Sequence, residues 1–364
     1  MFKGKVVTAL GAMSGAGLDG VSAAALTTDG GTIIGFGDTA FRPYSEEERA
    51  AIQAVSGRGP GLDTSAAAEI VETAHADLLR RFEVGDLVGF DGHTIAHDPA
   101  VQSPSQIGDG RVLAEVLGRP VVWDFRSADL ELGGQGAPLA PFYHFALAKW
   151  LGADQPLAFI SLGTVARLTW VDPGFDRPDV PGAVLAFDTG PGTGPLGDLL
   201  RARHRLTAGE EIRLAQEGSV DDGVVTRHLA DGYFHRMPPK LVGPDTFAGL
   251  LAAVAHLPDA DAAATLTAVA AISVSVGMEH CPSPPKRLLI SGAGRHRLTL
   301  MRMLDAALDC PVELVDDVGL DGDMIDAQAI AYLAVRVANG LPTTCPGTTG
   351  VRAAVCGGTI SRPG

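Results

Sequence analysis

The stretch V-L-A-F-D-T-G-P-G-T-G-P, Val184 to Pro195, decides how this chain is read. An apolar run, Val184 to Phe187, leads straight into Asp188, and Thr189, Gly190, Pro191 and Gly192 follow. Bounded by Gly and Pro, such a run reads as a buried strand that stops at a carboxylate and turns on glycines. A carboxylate fixed at a strand end can serve as a base, and a Gly turn beside it leaves backbone N–H groups for an anion. A strand, a capping Asp and a tight turn would read the same way, so this stretch takes its meaning from the rest of the chain.

Upstream of it a pattern occurs twice. Lys5 to Leu10 reads as a strand entering G-A-M-S-G-A-G-L-D-G, Gly11 to Gly20. Val21 to Thr28 and Thr32 to Phe41, joined by Asp29-Gly30-Gly31, complete an antiparallel meander. Helical segments follow at Ser45–Val55, Thr64–Phe82 and from Arg111 to Leu117, interleaved with strands at Leu87–Phe90 and Pro120–Trp123. Then Leu157 to Ser161, a turn at Gly163, and Val165 to Val171 repeat the strand–Gly–strand opening, with Val184 to Asp188 as the next strand. The recurrence is one of pattern and suggests two related α/β halves. Downstream, helices at Thr246–His256 and Asp261–Glu279 precede a strand at Arg287–Ser291, the turn Gly292-Ala293-Gly294 and a helix from about Thr299. A strand, a Gly turn and a helix suit a nucleotide phosphate, although no G-K-[S/T] follows to make it a P-loop. A helix from Ile325 to Ala338 ends on Asn339-Gly340, with Pro342 beyond.

Composition bounds the function. The length of 364 residues suggests two domains. A hydrophobic fraction of 46 % with 20 % charged residues is that of a globular chain with sizeable cores. A net charge of −15 argues against nucleic acid or an anionic membrane as partner, while leaving room for a local anion site. Cys281, Cys310, Cys345 and Cys356 show no C-x-x-C and no zinc spacing, so reduced thiols and a cytoplasmic location are expected. No signal peptide or membrane span is read in the sequence. His93 and His97 are four apart, but Gly92 and Pro99 oppose a helix there, so no metal site is assigned.

Three Gly turns, near Gly15, Gly163 and Gly292, could hold the phosphates of a nucleotide, with Ser14 donating to an oxygen. Asp124 and Arg126, two apart at a strand end and followed by G-G-Q-G-A-P-L-A-P with Gln135, suit a sugar or carboxylate ligand; an interdomain ion pair would read equally well. Asp188 would then deprotonate the acceptor.

These motifs together resemble the anhydro-N-acetylmuramic acid kinase family, within the actin–Hsp70–hexokinase superfamily. The matching segments are GAMSGAGLDGVSAAAL, DGHTIAHDP, PSQIGDG through WDFRSADLELGGQGAPLAPFYH, AFDTGPG, PPK, GAGRHRLTLMRML and DAQAIAYLAV. The resemblance implies a two-domain actin/hexokinase-like fold of ribonuclease H-like halves with ATP in an interdomain cleft. Expected edges are residues 1–126 plus about 340–364 for a sugar-kinase domain and 127–339 for an ATPase-type domain. It implies that 1,6-anhydro-N-acetylmuramic acid, ATP and water give N-acetylmuramic acid 6-phosphate and ADP, in cell-wall recycling. Asp188 would be the base for the attacking water, and Mg2+ would accompany ATP. The expected phosphate set is Ser14, Gly15, Ala16, Gly17, Leu18, Asp19, Gly20, Gly163, Gly190, Gly192, Gly292 and Gly294. The expected sugar set is His93, Asp124, Arg126, Gln135 and Gly136. A homodimer, with no nucleic acid or membrane partner, is implied as well.

The chain also departs from the family pattern. Ala16 and Gly17 replace Thr and Ser. Ser161, Thr164 and Arg167 stand where the family has Asn, Gly and Asn, and Thr193 and Arg297 each replace an Asn. Asp91 replaces a His, His93 a Gln, and Asp326 a Glu that many members carry. Three readings follow: an active kinase with a tolerant site, a kinase for another anhydro or ordinary sugar, or a weakened paralogue that binds sugar or nucleotide.

Overall fold

The computed structural model describes residues 2–15, 17–57, 63–96, 105–203, 208–243 and 246–364. The described residues form the strands β1 (Val7–Ser14), β2 (Gly20–Thr28), β3 (Ile33–Pro43), β4 (Leu87–Phe90), β5 (His93–Ala96), β6 (Ser105–Ile107), β7 (Val121–Trp123), β8 (Leu157–Leu162), β9 (Val165–Val171), β10 (Val184–Pro191), β11 (Leu288–Ser291), β12 (Val312–Leu314) and β13 (Thr359–Ser361). The chain divides into two units: Met1–Ala153, Phe175–Val184 and Met324–Gly364 form the first, and Asp154–Gly174 with Leu185–Asp323 the second.

The first unit holds a six-stranded sheet in the order β13-β7-β4-β1-β2-β3. β1, β2 and β3 pair antiparallel, while β1 pairs with β4, and β4 with β7, in parallel. Period-2 alternation sends Leu10 and Ala12 to one face, where they join Val71, Ala74 and Leu78 of the Ser65–Leu79 helix in a core. Gly11 faces the other way, against the Ile325–Ala338 helix. A Cβ at Gly11 would stand 1.9 Å from the Ala327 carbonyl, and one at Gly89 2.5 Å from that of Ile330. Glycine in β1 is therefore set by close helix approach, not by a turn.

The second unit holds a five-stranded sheet in the order β10-β9-β8-β11-β12. β8 pairs antiparallel with β9 and parallel with β11, and β11 pairs parallel with β12. This is the order of β3-β2-β1-β4-β7, and the β8–β9, β8–β11 and β11–β12 pairs share the sense of β1–β2, β1–β4 and β4–β7, so the recurrence read in the sequence is a repeated topology. The Asp259–Met278 helix supports β10: a Cβ at Gly190 would meet Ser273 at 2.7 Å, and one at Gly277 would meet Thr189 at 2.5 Å. By length and composition this helix could cross a membrane, which the sequence reading did not anticipate; 67 % of its apolar window is buried inside the protein.

Several expected boundaries move. β1 runs through Gly11 to Ser14 and does not stop at Leu10, and β2 starts at Gly20. β10 runs through Asp188 to Pro191, so Asp188 lies inside a strand rather than at its end. The helix expected over Thr246–His256 is a single turn, Leu250–Ala253. Residues 127–153 and the Ile325–Ala338 helix group with the first unit, not the second, because that helix packs on β1, β2 and β4. Ser45 caps the Glu46–Val55 helix in a capping box with Glu48, as its sequence suggests.

Buried histidines couple this fold to pH. Burial pushes His75 and His228 down to about 4 and His144 to about 3. Their folded values lie below the ordinary 6.5, so between about 4 and 6.5 the unfolded chain binds more protons and stability falls as pH falls. Each histidine removes up to about 1.4 kcal/mol per pH unit in that window. Unfolding free energies measured at pH 6.5 and 5 should differ by several kcal/mol, and equal values would contradict this.

Candidate active site

Asp188 is 2 % exposed and is held at four atoms within the second unit. Its N–H donates to the Lys240 carbonyl at 2.9 Å. Its carbonyl accepts the Tyr233 hydroxyl at 2.5 Å. Oδ2 accepts the Val242 N–H at 3.0 Å, and Oδ1 accepts Nε of Arg167 at 2.7 Å. The segment from Tyr233 to Val242 thus wraps the aspartate and fixes the direction of its carboxylate. Lys240 closes that segment on itself: Nζ, buried, donates to the carbonyls of Tyr233 and Phe234 at 3.1 and 3.3 Å and lies 4.8 Å over the Tyr233 ring. Burial pushes the Lys240 ammonium down to about 8. Burial, with the nearby Asp188 charge, raises Tyr233 above its ordinary range, so its hydroxyl stays a donor.

The glycine loops of this unit meet each other. The Gly163 carbonyl accepts the Thr193 N–H at 2.8 Å and its hydroxyl at 3.0 Å, while the Thr164 carbonyl accepts the Gly192 N–H at 2.9 Å. A Cβ at Gly192 would lie 2.3 Å from the Gly163 carbonyl, and one at Gly294 would lie 2.6 Å from Leu162 Cβ and 3.0 Å from Thr193 Cγ2. Gly292 adopts a left-handed φ of 79°, next to the backbone of Leu162. Gly163, Gly192, Gly292 and Gly294 therefore form one cluster beyond the parallel ends of β8 and β11, where loops of an α/β sheet present backbone to a ligand. Gly190 stands apart from them, its role being contact with Ser273. Arg297 follows the same turn, its N–H donating to the Gly294 carbonyl at 3.0 Å.

In the first unit, Ser14 ends β1 and is buried, as are His93 and Tyr44. The Tyr44 hydroxyl donates to Ser14 Oγ at 2.9 Å, and Ser14 Oγ lies 2.9 Å from His93 Nδ1. The hydroxyl that the sequence offered to a phosphate is thus engaged on both sides. Gly15, Gly17, Leu18, Asp19 and Gly20 form the following turn and the start of β2, with Leu18 left-handed at φ 57° and Arg49 Nε donating to its carbonyl. Ala16 and His97 lie outside the described residues.

A cavity of about 210 Å³ is lined by residues that include Asp91, Gly92, Gln106, Trp123, Asp124 and Ser127. Asp124, left-handed at φ 53°, accepts the Ser127 hydroxyl at 2.5 Å. Arg126 does not pair with Asp124. Its Nη2 donates to Asp91 at 2.8 Å and its Nη1 to the Gly136 carbonyl at 2.9 Å, both partners within the first unit. The Gln135 N–H donates to the Thr349 carbonyl at 2.9 Å. Asp129, which the sequence reading passed over, organises this loop. It is 1 % exposed and accepts Gly136 N–H at 2.8 Å and the hydroxyls of Thr344 and Thr349, each at 2.6 Å. Sequence pattern did not single it out, because Glu131 of the same five-residue helix is equally acidic and only burial separates the two. Tyr233 and Tyr44 gave no signal either, since their partners are 45 and 30 residues away.

Two sheet halves of one repeated topology, with a clamped aspartate on the third strand of the second half and glycine loops beside it, define an actin/hexokinase-like fold. Residues 7–363 match the anhydro-N-acetylmuramic acid kinase family. The chain is 54 % identical to an anhydro-N-acetylmuramic acid kinase of Roseobacter denitrificans, over 98 % of this chain and 95 % of that protein. It is 56 % identical to one from Cereibacter sphaeroides, over 100 % of this chain and 98 % of that protein. It belongs to the anhydro-N-acetylmuramic acid kinase family. A ROK family glucokinase from Streptomyces griseus, solved with glucose and AMPPNP, is 13 % identical with a TM-score of 0.39, covering 90 % of this chain and 98 % of that one; so loose a likeness carries no functional weight.

Proposed function

We propose that this chain is an ATP-dependent kinase that opens 1,6-anhydro-N-acetylmuramic acid with water and phosphorylates O6, giving N-acetylmuramic acid 6-phosphate and ADP. The observation that carries the mechanism is the fixed, buried carboxylate of Asp188. One proton leaves the water for Asp188 as the water oxygen bonds to C1. The C1–O6 bond breaks, O6 takes the γ-phosphoryl group, and ADP departs with the electron pair of the broken P–O bond. The Val242 N–H and Arg167 hold the two carboxylate oxygens, so the base needs no reorientation in the transition state.

The glycine cluster of Gly163, Gly192, Gly292 and Gly294 suits the ATP phosphates, and the Gly15–Gly20 turn offers further amides. The cavity beside Asp124, with Arg126, Gln135 and Gly136 behind it, suits the sugar. Mg2+ would accompany the ATP phosphates, whose oxygens suit it as ligands. A place in cell-wall recycling, a cytoplasmic location and a homodimer complete the reading.

One observation favours the alternative of weakened or altered activity: the Arg167 guanidinium sits on the oxygen of the base itself. An ADP-coupled assay with the anhydro sugar separates the readings. Sugar-dependent ADP release supports the kinase. ATP binding by calorimetry without any turnover of this sugar would transfer support to the alternatives.

A further inference from the structure

Arg295 follows directly on the Gly292-Ala293-Gly294 turn and is 3 % exposed. Each nitrogen of its guanidinium has a different partner. Nε donates to Asp316 Oδ2 at 2.8 Å, Nη1 to the Gly292 carbonyl at 3.1 Å and Nη2 to Asp323 Oδ1 at 2.9 Å. The backbone N–H of Arg295 donates to the same Gly292 carbonyl at 3.1 Å.

The partners come from three stretches of the second unit. β11 and β12 run parallel with Ile290 opposite Leu314, so the turns that leave them start side by side. Gly292 belongs to the turn after β11, and Asp316 to the single turn Val315–Val318 after β12. Asp323 belongs to the loop before the Ile325–Ala338 helix. Asp316 ties that loop in as well, its Oδ1 accepting the Gly322 N–H at 3.3 Å. The fit at Gly322 is close: a Cβ there would stand 2.6 Å from Arg295 Nε and 2.9 Å from Asp316 Oδ2. On the glycine cluster the same turn is equally close, since a Cβ at Gly292 would stand 2.9 Å from Leu162 N.

Stability alone is a poor reason for such an arrangement. A buried guanidinium gives up its hydration, and well-packed apolar side chains often hold a fold as firmly. What the planar fork adds is direction, because donors fixed in one plane set the Gly292 carbonyl against two carboxylates at once.

We propose that Arg295 is a positioning residue for the nucleotide. With Asp316 and Asp323 it holds the Gly292–Gly294 turn where that turn joins Gly163 and Gly192. Its side chain is buried with all three nitrogens engaged, so it acts on ATP through the turn. This rests on the reading of the glycine cluster as the phosphate site.

The test uses the full-length protein, with MgATP as the probe and no sugar. By calorimetry, Arg295→Met should raise the Kd for ATP about tenfold, as the turn loses its anchor. Folding should survive, because the side chains of Asp316 and Asp323 are 41 % and 67 % exposed and stay solvated without the guanidinium. Arg295→Lys keeps the charge but not the fork, and its Kd should fall between the two. Asp316→Asn leaves Arg295 in place without its 2.8 Å ion pair and should weaken ATP about threefold. In a coupled assay the loss should appear in KM for ATP, with kcat at saturating ATP and KM for the anhydro sugar close to wild type. A folded Arg295→Met protein with wild-type ATP affinity would overturn the proposal, and so would a loss confined to kcat. Should Arg295→Met not fold, wild-type affinity in both Arg295→Lys and Asp316→Asn would overturn it equally. A wild type that binds no ATP would instead sink the proposed function.

Discussion

Replacing Asp188 with Asn should lower kcat for the anhydro sugar by about 10²–10⁴-fold while leaving ATP affinity near its wild-type value. The amide keeps the size and can still accept from Val242 N–H, but it loses the basic lone pair that takes the proton of the water. Folding should survive, because the Arg167 side chain is 39 % exposed and its guanidinium stays solvated when its anion is lost. The backbone bonds of Asp188 to Tyr233 and Lys240 do not depend on the side chain. Turnover in a coupled assay and ATP binding by calorimetry are the two readouts. Wild-type kcat in Asp188→Asn would dismiss the base assignment. Arg167→Ala should cost much less, about tenfold, since the Val242 N–H still orients the carboxylate.

Replacing Asp129 with Ala should be the most damaging change to the first unit, on the order of 3–4 kcal/mol. Three donors converge on this carboxylate, and its removal leaves the Gly136 N–H and the hydroxyls of Thr344 and Thr349 buried without it. The Gly133–Gly136 loop would lose its anchor at the same time, since a Cβ at Gly134 already would stand 2.1 Å from Asp129 Oδ1. Thermal unfolding should show the midpoint fall by several degrees, and the sugar KM should rise because the loop carries Gln135 and Gly136. Thr344→Val or Thr349→Val alone should cost about 1 kcal/mol. An Asp129→Ala protein that unfolds with the wild type would show that the three donors find other partners.

Much of the fold was legible from local chemistry. The meander after Lys5, its recurrence after Leu157, the Ser45 cap and the Ile325–Ala338 helix rest on periodicity and capping that neighbours in sequence express. The reading went astray where Gly and Pro were taken as punctuation. Gly11 interrupts nothing: it lets the Ala327 carbonyl approach β1. Gly190 and Pro191 likewise belong to β10, an edge strand where proline is tolerated, and Gly190 makes room for Ser273. A glycine required by tertiary contact looks the same in one dimension as a glycine required by a turn.

The site divides along the same line. Asp188 and the turns at Gly163 and Gly292 were read from type and spacing, and the second unit does bring Gly163, Gly192, Gly292 and Gly294 together. The contacts that give these residues their properties come from afar: Arg167 reaches Asp188 across 21 residues, and Ser14 reaches His93 across 79. Nothing in the local pattern of Arg167 or Tyr44 signals such a partner.

The most direct test is a reaction of the anhydro sugar and MgATP in 18O-labelled water, quenched early and read by mass spectrometry. The expected product is a sugar phosphate that carries one water-derived 18O on its sugar portion, formed in step with ADP, with no label in inorganic phosphate. Label in inorganic phosphate beside unchanged anhydro sugar would mean that water attacks ATP instead, and would contradict the role assigned to Asp188.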